Sequence, residues 1–423
     1  MRHFMALAFA LLFSLNISGQ YEVYFHPNTL RFDFFSTNSR YEETYSFSEF
    51  IQEPAWAGST ENLIDTFYFG SNYVRMFDLA SETLIYSRGF STLSSEWRTT
   101  EEAKAFTRVF QESVLLPFPK KSVRIEIYSR NAFGLFIKQL EKICTLESKD
   151  IRTEKRRIYS TEDIHISGNT HNNLDIVILP EGYASSDMQT FRTDCQKFAT
   201  ELLSYKPYND YSAKINIRMV MAPSSESGCD LPGENIWKNT LLDARFYTFG
   251  EERYCMTDAF HTVRDIAANA PYDQIYILVN SPKYGGGGIY NYYSLSVNSN
   301  KMAGKIIIHE LGHGFTGLAD EYYNSSVAYN DMYPTDLEPW EPNITTLVHF
   351  DRKWKSILEP NIPIPTPDSL EFNLKPGVFE GGGYSSKGVY RPAVDCLMNT
   401  FRENKFCTVC EKAIFQMLEF YTK

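Results

Sequence analysis

Residues 302–315 read MAGKIIIHELGHGF. Apolar Ile306, Ile307 and Ile308 lead into His309-Glu310-Leu311-Gly312-His313, and this spacing predicts one helix buried in a core. His309 and His313 stand four residues apart, which on an α-helix places both imidazoles on one face, a turn apart. Two such rings reach one zinc ion, and Glu310 sits where its carboxylate meets an activated water. Glu310 is then the general base, taking a proton from water and passing it to a leaving amine.

A zinc site that does chemistry needs a third protein ligand and an open fourth position. The chain continues Gly314-Phe315-Thr316-Gly317-Leu318-Ala319-Asp320-Glu321-Tyr322. Gly317 suits a sharp helix end because glycine accepts left-handed backbone angles. In metzincin-type sites such a turn returns a His or Asp to the same metal. Gly317 and Asp320 follow His309 by eight and eleven residues, one more than that pattern uses. Asp320 is the first expectation for the third ligand; Glu380, which opens the Gly381-Gly382-Gly383 run, and Glu321 are the alternatives.

The flanking sequence sets the architecture. From 20 to 150, stretches such as YEVYFH, RFDFFS, DTFYFG and SVRIEIYSR alternate aromatic or β-branched residues with polar ones, predicting an antiparallel β-sandwich-like domain. Helical spacing is read at 100–113 and at 136–147. The polar stretch 147–170 is the best boundary. Beyond it LDIVILPEGY, KINIRMVMAP and DQIYILVN alternate with helical segments, predicting a mixed sheet with helices over 160–423. The fold class expected is therefore α+β or α/β.

With net charge −11 and no long basic run, nucleic acid is an unfavoured partner. Residues 1–19, MRHFMALAFALLFSLNISG, combine a basic start, a short apolar stretch and small residues, which is the form of a secretory signal peptide. Export to the periplasm, cell surface or medium follows, and no later run is apolar enough to be a transmembrane segment. Seven cysteines in an exported chain invite disulfides, and the odd count leaves at least one unpaired. Cys407 and Cys410 form a CxxC, readable as a local disulfide, a redox pair or half a structural zinc site.

HELGHGFTGLADEYY, LDIVILPEGY and YRPAVDCLMNTFRENKFCTVC together resemble the IgA-peptidase-type metallopeptidases of bacteria. EWRTTEEAKAF and PFPKKSVRIEIYSR resemble the N-terminal domain of the same family, so the likeness is close to full length. The resemblance implies a β-rich N-terminal domain, a metzincin-like zincin catalytic domain and endopeptidase activity. It also implies that Cys396-Leu397-Met398-Asn399 is a Met-turn, an apolar floor beneath the metal.

One catalytic Zn2+ is the expected cofactor; no specific motif supports a structural Ca2+. The expected partner is a protein or glycoprotein substrate held extended against a strand edge, for which Ile289 to Val297 and the preceding glycines are placed. An oxyanion needs a donor besides the metal; Tyr390 is favoured, with Tyr384, Tyr322, His349 and Arg391 as candidates. A non-catalytic binding protein has no need of Glu310, and a purely structural zinc site normally fills all four positions with protein atoms.

Overall fold

Alternating aromatics build the first half. In β1 (Phe25–Asn38), which follows a short α1 (Gln20–Tyr24), Leu30, Phe32 and Phe34 are fully buried. The strand lies between β2 (Glu43–Glu53) and β5 (Arg108–Pro119), antiparallel to both. A second antiparallel sheet contains β3 (Asn72–Asp78), β4 (Leu84–Phe90), β6 (Val123–Arg130) and β7 (Phe136–Cys144) in the order β4-β3-β6-β7. Leu30, Phe32 and Phe50 of one sheet share a single apolar core with Val74, Met76 and Ile125 of the other. That is a sandwich, sustained by the period-2 pattern. The coordinates are a computed structural model describing residues 20–147, 149–154, 157–323, 332–402 and 404–423. The expected signal peptide at 1–19 lies outside the described residues.

Two expected helices are strands. Over 100–113 only α3 (Glu102–Ala105) forms, after α2 (Leu93–Trp97); from Arg108 the chain pairs with β1, and Phe110, Glu112, Val114 and Leu116 turn to one buried side. The stretch 136–147 becomes β7, a half-exposed edge paired with β6. In both, long-range pairing overrides a helical spacing too short to hold a helix by itself.

The polar stretch 147–170 is not a free linker. Its β8 (Ile151–Arg152) extends the first sheet beside β2, and its β9 (Thr161–His165) closes one edge of the next.

The second half is built on β10 (Leu174–Glu181), all of it buried. The elements that follow are α4 (Met188–Leu202), β11 (Ile215–Val220), α5 (Phe260–Ala267), β12 (Gln274–Val279), β13 (Gly286–Ile289), β14 (Tyr293–Val297) and α6 (Ala303–Thr316). The chain ends with the hairpin of β15 (Phe379–Gly382) and β16 (Ser385–Arg391), then α7 (Thr408–Thr422). The sheet runs β13-β14-β12-β10-β11-β9, parallel through its centre with an antiparallel strand at each edge. Both faces of a parallel strand must be covered, and the side chains of β10 divide accordingly. Ile176 and Ile178 face a core shared with α4, α6 and α7, whereas Val177 and Leu179 face α5 together with Trp97 and Phe110 from the first half. The two halves are also joined by Arg31, 1% exposed, whose guanidinium meets Asp33, Glu53 and, on α5, Asp265.

Candidate metal centre and cleft

Helix α6 is apolar on nearly every side because it lies between the sheet and α4 and α7. Its polar face opens only where His309, Glu310 and His313 reach a cleft. His309 gives its Nδ1–H to the carbonyl of Leu397 at 2.8 Å, and His313 gives its own to the carbonyl of Leu318 at 2.6 Å. These bonds place a proton on each Nδ1, so Nε2 is the ring atom that each histidine offers to a metal. The two Nε2 atoms lie 3.1 Å apart.

Gly317 ends the helix at φ 68°, with its N–H on His313 O at 2.9 Å and the N–H of Leu318 on Gly312 O at 3.1 Å. This left-handed cap reverses the chain. Asn343 then grips both backbone groups of Ala319 at 2.7 and 2.9 Å. The extra residue relative to the metzincin-type spacing is absorbed here, and Asp320 still arrives at the histidines. Its Oδ1 is 3.1 Å from His309 Nε2 and 3.4 Å from His313 Nε2. Its Oδ2 accepts a hydrogen bond from the Tyr384 hydroxyl.

Three acceptor atoms thus face one point. Asp320 Oδ1 is buried with no hydrogen-bond partner, a costly state unless a cation satisfies it. Ligands at about 2.0–2.1 Å around a tetrahedral zinc are separated by about 3.3 Å, which matches these spacings. The residues present therefore fit the ion. The local field agrees: burial lowers the His313 pKa, but the Asp320 carboxylate outweighs it and pushes His313 up to about 9. The site favours positive charge between these side chains. Glu310, 9% exposed, is pushed upward by burial and pulled back by the two histidines.

Beneath the helix, Met398 is fully buried, and a Cβ placed on Gly312 would lie 2.9 Å from its sulfur. The turn carrying Met398 also supplies the Leu397 carbonyl that orients His309. The floor of the site and the orientation of its first histidine therefore come from one short segment.

The structure brings together His309, Glu310, His313 and Asp320, and sets Tyr322, Tyr384 and His349 along the same cleft. It does not bring Glu380 there: that carboxylate is held by Lys387 at 2.7 Å and the N–H of Gly388. Nor does it bring Tyr390, whose backbone pairs with Thr345 and whose ring packs on the core beneath. Arg391 spends its Nη1 on the carbonyls of Glu380 and Gly381, and Glu321 turns to the opposite side from Asp320, toward Asn343 and Cys410.

Sequence models of two parts of one family match the chain. The model described as IgA peptidase M64 covers residues 163–375 and 368–418, and that described as peptidase M64 N-terminus covers 20–141. The chain belongs to the IgA peptidase M64 family. It is accordingly a peptidase of a metallopeptidase family, and its substrate is protein. No curated protein sequence matches it.

The cleft of this M64 peptidase occupies about 1440 Å3. Its lining includes β13 with Gly285 and, as a second wall, Phe67–Phe69 and Arg130–Leu135 from the N-terminal half. Sequence reasoning missed this second wall and also Arg253, whose Nη2 lies 3.5 Å from the Tyr322 hydroxyl. Neither carries a local signature, because both reach the site only through packing of distant segments. Every cysteine is a free, buried thiol, so the expected disulfides are not formed. Among the described residues no helix is long and apolar enough to cross a membrane.

Proposed function

We propose that this protein is an exported zinc-dependent endopeptidase that cuts extended segments of protein or glycoprotein substrates, with His309, His313 and Asp320 as the metal ligands. The observation that carries this reading is the buried Asp320 Oδ1, without a hydrogen-bond partner, 3.1 and 3.4 Å from the Nε2 atoms of His309 and His313 in the cleft. The reversal at Gly317 and the Met398 floor support a metzincin-like arrangement. Zinc held there supplies a Lewis acid that acidifies water and polarises the scissile carbonyl.

The chain's own residues do the rest. Glu310, its carboxylate raised by burial, takes the proton from the attacking water and later gives it to the departing amine. Tyr384, rather than Tyr390, is the oxyanion donor, its hydroxyl exchanging the bond to Asp320 Oδ2 for one to the developing oxyanion. The substrate main chain lies along β13, the edge of the sheet. Strand alternation turns the N–H and C=O of Gly288 away from β14; those of Gly286, on the same side, are taken by the backbone of Arg253 and Cys255, so the edge offered to substrate begins at Gly288. A side chain on Gly288 would strike the Glu310 carbonyl at 2.3 Å, so this strand approaches the active helix as only glycine permits. Residues 1–19 direct export.

The test is cleavage of an unfolded protein by the purified full chain. A zinc chelator abolishes cleavage and added zinc restores it. Glu310→Gln keeps its metal and loses about 10²–10⁴ in kcat, the span of general base catalysis. Undiminished cleavage by that variant, or by the chelated wild type, rejects the reading.

A further inference from the structure

Three of the seven thiols meet behind the cleft. Cys396, Cys407, Cys410 and Glu321 each place one donor atom within 4.8 Å of the others. They come from separate pieces of chain: Glu321 follows Asp320, Cys396 opens the turn of Met398, and Cys407 and Cys410 begin α7. We propose that these four residues bind a second zinc ion in a closed, structural site.

The donor set favours this metal and this role. Three soft thiolates and one carboxylate complete a tetrahedron, and with all four positions filled by protein no vertex remains for water. Sulfurs on a common zinc at about 2.3 Å stand about 3.8 Å apart, so the cluster closes on an ion with a contraction of about 1 Å at most. The thiols lose three protons to solvent as three Zn–S bonds form, and no electron moves.

A separate observation also points to a cation. Glu321 is wholly buried, yet its Oε2 has no hydrogen-bond partner. Its Oε1 takes the Nδ2–H of Asn343 at 3.0 Å and lies 3.1 Å from Cys410 Sγ. A desolvated carboxylate whose second oxygen is unpartnered, its first accepting only from an amide and a thiol, is costly without a positive partner. The surroundings suit anionic sulfur: Cys407 caps the N-terminus of α7, and its N–H reaches Cys396 Sγ at 3.3 Å.

The consequence is mechanical. The Glu321 N–H already bonds to Met398 O at 2.7 Å, and Leu397 between Met398 and Cys396 orients His309. An ion at this point ties the Asp320 segment, the Met398 turn and α7 together directly behind the proposed catalytic ligands.

The measurement is zinc content of the purified, unreduced full chain, with thiols counted by alkylation in denaturant plus chelator. The expected wild-type result is two zinc ions per chain and unoxidised Cys396, Cys407 and Cys410. The His309→Ala/His313→Ala double variant keeps one ion. Loaded with Co2+ alone, that variant shows thiolate-to-cobalt charge-transfer absorption, and Cys407→Ser removes it. One zinc in the wild type and none in the histidine variant overturns the second site while leaving the first intact. So does a disulfide between any two of the three cysteines, read on the wild-type protein even where Cys407→Ser fails to fold.

Discussion

Removing the Asp320 carboxylate leaves the two imidazoles without their proposed third ligand, so Asp320→Ala is expected to release the cleft zinc at chelator concentrations the wild type withstands. Competitive metal titration measures this; Glu380→Ala, removing a carboxylate held by Lys387, serves as the contrast. Tyr384 and Tyr390 separate in the same way. Tyr384 holds the second oxygen of Asp320, whereas the Tyr390 ring lies on the core side. Tyr384→Phe is expected to lower kcat by about 10²–10³, the usual cost of a lost oxyanion donor, while Tyr390→Phe changes kcat little. Equal losses in the two variants would contradict this assignment.

At the scale of elements, the end of α6 governs whether Asp320 arrives. Gly317 sits at φ 68°, and a Cβ there would meet Trp340 at 2.6 Å. Gly317→Ala therefore combines a backbone penalty above about 1 kcal/mol with a steric shift of the segment that carries Asp320, the proposed third ligand. Denaturant unfolding should show the lower stability, and the same variant should bind zinc more weakly. A stability loss without any change in zinc affinity would show that the cap supports the helix alone.

Across the whole molecule, the sandwich and the catalytic half share buried polar groups whose charge depends on pH. Glu112 is fully buried on β5, accepts from Ser36, and is pushed up to about 8, with burial the main cause. Its backbone carbonyl accepts from His261 of α5, so it lies at the junction of the halves. Unfolded, the same carboxyl titrates near its ordinary value of about 4.3. The folded state binds the extra proton between those values, so stability is fully present below the unfolded pKa and declines as pH rises toward 8. Glu112→Gln, which cannot ionise, should flatten the fall in unfolding free energy between about pH 5 and 8. A wild-type slope unchanged by the substitution would assign the pH dependence to other groups.

The local pattern alone determined β1 over RFDFFS, β6 over SVRIEIYSR, the all-apolar run of β10, and a helix presenting His309, Glu310 and His313 together. Each of those follows from period-2 or period-3.6 spacing and needs no knowledge of distant chain. The spacing of Gly317 and Asp320 left Glu321 and Glu380 open, because a ligand beyond a turn is chosen by where the turn sends it. Only the tertiary structure turned Asp320 inward and Glu321 outward, made strands of 108–119 and 136–144, placed Tyr384 rather than Tyr390 on the cleft, and gathered Cys396 with Cys407 and Cys410. The reason is physical. Contacts between segments far apart in sequence are set by packing and pairing of whole elements, and no window of a few residues contains that information.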